Sequence, residues 1–401
     1  MTAKGATTTA APVAIYRLIL PIVFWLGAWG LLQPAAAQEA ELLLLQTRGR
    51  LYDLALSPDR SVLAVGGDNN AVHLWNPTNG EHLRTLDASR QGTQVADQQA
   101  LSGYISSVAF HPDKPLLATG GTDWTVSLWD YQSGSAVYTL SGHRGPVRAV
   151  AFHPAGGVLA SAGGDGTILL WNINNGQRLG VLRAHQDTVH ALAFSDDGNR
   201  LASAGEDTTV RLWDFASGRL LHTLSGHRDR VVALAFHPLS TTLASAGQDG
   251  TIRVWQQDTG ALERVLTAHQ DAVTDLAFQP GLGQLASVGL DGRMLLWELS
   301  IDNPSEPVPP QEHSIAAVRL VGEDTAVTAS LDGVVRFWNL KEGRSRLALT
   351  LLPENQWLSY DPSSLYYNAS ARGDRYGMLR FAGLEQTLFP LHYYRDKLFQ
   401  P

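Results

Sequence analysis

Cysteine is absent from all 401 residues. Its absence removes disulfides, thiolate metal sites and cysteine nucleophiles together, and it excludes an N-terminus lipid-modified through cysteine. Basic runs are missing too: no stretch of five or more Lys or Arg occurs, and the net charge is −8 at pH 7. A chain of this charge repels a phosphate backbone, so nucleic acid is not expected as a partner. Long apolar runs are equally scarce. The longest spans residues 18–32, fewer than the roughly 20 residues a membrane-crossing helix needs.

That short run has the layout of an export signal. Lys4 and Arg17 precede it, and Ala35, Ala36 and Ala37 follow it as the small residues a signal peptidase requires. The expectation is a secretory signal over residues 1–37, cleaved before Gln38, and an exported protein that is periplasmic or secreted with no membrane insertion after cleavage. The alternative is an uncleaved N-terminal anchor, which also places the remainder outside the cytoplasm. Loss of Lys4 and Arg17 takes the charge from −8 to −10. Without disulfides, the exported chain must hold itself together by packing.

What the chain has in quantity is regular tryptophan. Trp75, Trp129, Trp171, Trp213, Trp255, Trp297 and Trp338 follow one another at gaps of 54, 42, 42, 42, 42 and 41 residues. A fixed period near 42 signals a repeat architecture, and the excess in the first gap falls in the polar residues 87–100, read as a loop insertion. Within one unit, four short apolar runs alternate with turn residues, as in residues 142–172. This predicts a four-stranded antiparallel meander. A single such sheet cannot hide its apolar faces, but seven stacked around an axis can. The predicted fold is all-β, a seven-bladed β-propeller of four-stranded antiparallel blades over residues 38–351.

Gly142-His143, Gly226-His227, Trp129-Asp130 and Trp213-Asp214 carry a resemblance to the WD-repeat family, marked by a Gly-His pair near the start of each unit and a Trp-Asp pair near its end. The resemblance implies a buried hydrogen-bonded set of His, Ser or Thr, Asp and Trp in each blade. The sets are His143, Ser161, Asp165 and Trp171; His185, Ser203, Asp207 and Trp213; His227, Ser245, Asp249 and Trp255; His269, Ser287, Asp291 and Trp297; and His313, Thr328, Asp332 and Trp338. Buried indole, imidazole and carboxylate must each find a partner or cost roughly 1–3 kcal/mol. Blade two has Thr119, Asp123 and Trp129 but Leu101 in place of His; blade one keeps only Trp75, with Thr47, Val65 and Asn69 at the other positions. These two blades are expected to be the least rigid.

His, Ser and Asp together invite a hydrolase reading. Five equivalent copies read as scaffolding, since a nucleophile site would be single and paired with an oxyanion hole. At the channel mouth the equivalent inner-strand positions are Tyr52, Ser106, Arg148, His190, Val232, Thr274 and Ala316. One His and one Arg among seven do not make a metal site, so neither metal, cofactor nor catalysis is expected.

Residues that break the repeat point instead to recognition at one rim. Trp124 stands where sister blades carry Gly166, Gly250, Gly292 and Gly333. Tyr104 lies near it, and Arg144, Arg228, Arg230 and Glu206 give the rim mixed charge, which suits a protein partner. The competing reading folds Trp124 against the insertion. Function is accordingly read as a non-catalytic protein-interaction scaffold. The alternatives are a small-ligand or glycan-binding propeller, or a hydrolase, using the central channel through Tyr52, Arg148 and His190.

Two further expectations concern the ends of the repeat array. Residues 42–45 or residues 347–351 supply the outer strand of blade seven, with nothing in the sequence to choose between them, and the prolines at 304, 307, 309 and 310 shorten or remove the outer strand of blade six. Residues 352–401 hold ten of the 33 aromatics and break the repeat. They are expected to pack on the propeller, and they are similar to a tail found beside WD-repeats in some bacterial proteins.

Overall fold

Short β-branched and alanine-rich runs between Gly, Asn and Asp turns form strands throughout the computed structural model, which describes residues 14–20, 38–44, 49–68, 70–87, 103–183, 185–279, 281, 283–299, 304–352, 356–362, 367–372, 375, 377–381 and 388–394. Thr47, Asn69, Leu101, most of the 87–100 insertion and most of the 18–32 apolar run lie outside the described residues. The chain divides into two compact units, Gly49–Arg344 and Met1–Arg48 with Ser345–Pro401.

The larger unit is a seven-bladed β-propeller. Its inner strands are Leu51–Leu56, Ile105–Phe110, Val147–Phe152, Val189–Phe194, Val231–Phe236, Val273–Phe278 and Ile315–Leu320. Each pairs antiparallel with the next strand of its own blade, and each pairing slips register after its first residue, as between Val147 and Ala149. The slip is a β-bulge, which adds twist at the channel mouth. Among the described residues blade six has three strands, and beyond them an isolated bridge joins Leu296 to Ser305, beside Pro304.

The core lies between blades. Trp213 of blade four packs with Ala160, Ala162 and Ile168 of blade three, and Trp255 of blade five with Ala202, Ala204 and Val210 of blade four. Fully buried alanines on the middle strands, Ala64, Ala118, Ala160, Ala202, Ala244 and Ala286, let neighbouring sheets approach closely. Because each interface is shared by two repeats, stability accumulates around the ring.

In the smaller unit Gln38–Leu44 pairs on one edge with Ala14–Leu20 and on the other with Gly377–Phe381. Together with Leu388–Pro390 these strands make a four-stranded sheet that includes no strand of blade seven, so the leading strand is not its outer strand. Gln356–Tyr360 pairs with residues 348–352 and with Tyr367–Ala369, and the Tyr360 and Tyr367 side chains are buried. No described helix is long and apolar enough to cross a membrane.

Candidate functional site: the rim and mouth of the propeller

Four of the tetrads form one repeated hydrogen-bonded chain. In blade three the Trp171 indole N–H donates to the Ser161 hydroxyl at 2.8 Å, Ser161 meets His143 Nε2 at 2.8 Å, and His143 Nδ1 meets Asp165 at 3.0 Å. Blades four, five and six repeat it through His185, His227 and His269, with His–Ser distances of 2.9, 2.8 and 2.7 Å. With Nδ1 protonated and Nε2 accepting from Ser, every donor in the chain is used. The four serines are fully buried, so no substrate can reach their hydroxyls.

Each tetrad aspartate also fastens the rim. Asp165 accepts from the Arg144 backbone N–H and from both the N–H and hydroxyl of Thr167, tying the loop before the inner strand to the hairpin after the second strand. Burial alone would raise the Asp165 pKa, but the hydrogen bonds from His143, Arg144 and Thr167 outweigh it and hold the carboxyl well below its usual range. Asp207, Asp249 and Asp291 are held low against burial by the corresponding histidine and backbone N–H groups, joined at the first two by the Thr209 and Thr251 hydroxyls.

Blade seven departs from the expected set. Trp338 donates to Thr328 at 2.9 Å, but Asp332 is taken by Arg336, and His313 Nε2 is buried with no hydrogen-bond partner. The other histidines precede the first inner-strand residue by four positions, as His143 precedes Val147, whereas His313 stands only two before Ile315. It is therefore out of register, and Arg336, four residues beyond Asp332, occupies the carboxylate.

The seven hairpin tips on this rim all adopt positive φ. Gly166, Gly250, Gly292 and Gly333 do so at no steric cost, and Asn70 tolerates it; Trp124 at 68° and Thr208 at 63° do not. Trp124 is 40% exposed, and its turn holds Tyr104 in place: Thr122 N–H donates to the Tyr104 carbonyl at 3.1 Å and Tyr104 N–H to the Thr122 hydroxyl at 3.0 Å.

The structure gathers Tyr104 with residues of the channel mouth. Its ring lies 4.7 Å from that of Tyr52, its hydroxyl accepts from Arg148, and the Arg148 guanidinium sits 5.6 Å from the ring centroid. Tyr52 donates to Asp68 at 3.1 Å, and burial together with that carboxylate pushes its phenol up to about 12. Glu206 meets His190 at 2.6 Å and Arg230 at 3.7 Å. Burial lowers the His190 pKa despite Glu206. Arg144 and Arg228 stand apart on exposed loops, where their backbone N–H groups donate to Asp165 and Asp249.

Deeper in the channel lies a group that the mouth positions read from the sequence do not include. Arg319 donates to Asp275 at 2.7 Å and to Asp53 at 3.0 Å, joining blade seven to blades six and one. Both carboxylates also accept the backbone N–H of the following inner strand, Asp53 from Val108 and Asp275 from Val318, each at 2.9 Å. Burial, reinforced by Asp275 and opposed by Arg319, raises Asp53 to about 6. The signal was in the sequence: the fifth inner-strand position reads Ala55, Ala109, Ala151, Ala193, Ala235 and Ala277, then Arg319. The channel encloses about 340 Å³ lined by these residues. Among the described residues no group of three or more His, Cys, Asp or Glu is placed to hold a metal ion.

Six stretches of the chain, residues 43–76, 94–130, 134–172, 176–214, 218–256 and 260–298, match the family described as WD domain, G-beta repeat, and together they exceed half the chain. Among curated proteins it is similar to human DDB1- and CUL4-associated factor 10, 30% identical over 29% of this chain and 18% of that protein. It is also similar to coatomer subunit beta'-2 of Arabidopsis thaliana, 34% identical over 21% of this chain and 8% of that protein. Mouse telomerase Cajal body protein 1 is 29% identical over 22% of this chain and 24% of its own length. The matches thus span less than a quarter of each relative.

Proposed function

This chain belongs to the WD-repeat family, and on that premise we propose that its propeller is a non-catalytic scaffold that docks a protein partner on the rim carrying Trp124 and Tyr104. The observation that carries the reading is Trp124, a large exposed aromatic held in a left-handed conformation where four sister blades use glycine. Such strain persists where function retains it, and exposed tryptophans serve as binding anchors. Relatives whose names mark them as an associated factor and as a coat subunit support a role in assembly.

The partner is placed in the cell envelope or outside the cell, on the strength of the export-signal layout of residues 1–37. Two experiments test the two halves. Crosslinked capture from cell envelope with the full chain is expected to retain a specific protein that a Trp124→Ala, Tyr104→Ala double variant loses; equal retention by both contradicts the rim reading. The N-terminal mass of the protein recovered from fractionated cells is expected to begin at Gln38 in an exported fraction, and a cytoplasmic protein retaining Met1 contradicts export.

A further inference from the structure

The basic groups of the channel and its mouth differ in one respect. Arg319 is flanked by two carboxylates, and at the mouth Arg230 and His190 share Glu206. Arg148 has no carboxylate within ion-pair distance among the described residues. Its guanidinium donates to the Tyr104 hydroxyl, while its Nε is buried with no acceptor. A guanidinium is a planar fork matched to a carboxylate, and a partly buried one lacking its acceptors gains most when an anion supplies them.

The surroundings fix what that anion can be. The Tyr104 hydroxyl accepts from Arg148, and the Tyr52 ring packs against that of Tyr104 at 4.7 Å, so the fork is held before any ligand arrives. The charged groups facing it are Asp68, engaged by Tyr52 and by the Arg50 N–H, Glu206, engaged by His190 and Arg230, and the Asp53–Arg319–Asp275 group below. With four carboxylates already in the mouth and channel, Asp68, Glu206, Asp53 and Asp275, a single added negative charge is accommodated and a doubly charged phosphate is opposed. A volume of about 340 Å³ lies at the small end of ligand sites and suits one side chain with its water. We propose that Arg148 is the recognition point for one aspartate or glutamate side chain of the docking partner, inserted into the channel mouth while Trp124 grips the partner from the rim. The inference rests on the rim-docking reading and adds to it the chemistry of the inserted group.

The test selects a random displayed peptide library on the full-length protein. Wild type is expected to enrich sequences with Asp or Glu at one fixed position, and a synthesised representative to bind Arg148→Gln about 10–100-fold more weakly, as expected for a lost charged hydrogen-bonded pair. Arg148→Glu is expected to convert that position to Lys or Arg. Arg148→Lys keeps the charge and is expected to retain the acidic preference with weaker binding, which separates loss of recognition from loss of fold. Equal binding by wild type and Arg148→Gln, or enrichment without an acidic position, overturns the inference. If Trp124→Ala weakens every selected peptide in that case, rim docking stands without it; no enrichment by wild type counts against both.

Discussion

Trp124 and Thr208 occupy a conformation that costs an L-residue about 1–2 kcal/mol, at a position where glycine is the commonest occupant among the seven blades. Trp124→Gly and Thr208→Gly are each expected to stabilise the fold by about 1 kcal/mol, read as a higher midpoint in denaturant. Ser203→Ala goes the other way. Ser203 is fully buried and serves both His185 at 2.9 Å and Trp213 at 3.1 Å, so its loss strands two polar groups and is expected to cost about 2–4 kcal/mol. Most of the tetrads were legible through the family resemblance, whose His, Ser or Thr, Asp and Trp positions recur in this chain at the fixed spacing of the repeat. His313 misled because its residue type matched while its distance from the inner strand did not. Arg336 gave no warning either, since Arg211 and Arg253 hold the same position in blades that keep their histidine.

At the scale of the element, blades three to six each couple their two rim loops through one ionisable His–Asp pair, so those loops respond to pH. Burial lowers the pKa of His185 and His227 below the usual 6.5; the unfolded chain then binds more protons, and their contribution is lost as pH falls below about 6.5. Asp165, Asp207, Asp249 and Asp291 lie below the usual 3.8, and theirs is lost as pH falls through the unfolded value and beyond. Asp53 acts with the opposite sign. Raised to about 6 from 3.8, it binds its proton more readily in the fold and adds stability as pH drops from 6 to 4. Melting followed by circular dichroism is therefore expected to show stability falling from pH 7 to pH 4, and falling more steeply in Asp53→Asn. Sheet pairing was less legible than the hairpin tips. Residues 42–45 resemble an outer strand in pattern, yet Gln38–Leu44 pairs with Ala14–Leu20 and Gly377–Phe381, distant segments whose partnership no local pattern encodes.

For the whole molecule the open question in a closed ring is what joins the last blade to the first. Arg319 makes that join with Asp53 while also holding Asp275. Arg319→Ala restores the alanine of six sister positions but leaves two carboxylates without their cation, and because the Arg319 side chain is 32% exposed the loss is expected to be about 1–3 kcal/mol. Replacing Asp53 and Asp275 with Ser in the same chain is expected to recover most of that loss, because Ser107 already accepts the Val150 N–H at the equivalent position; equilibrium unfolding of the single and triple variants reads the difference. Blade number and ring closure were legible because they follow from a period, whereas the Arg319 group required comparing one position across all seven inner strands.

If the strained tryptophan is kept for docking, Trp124→Gly changes stability and binding in opposite directions. The variant is expected to be more stable yet to lose its captured partner, seen as a raised unfolding midpoint and a weakened affinity in titration calorimetry. A variant that is stabilised and binds the partner as tightly as wild type would contradict the docking role.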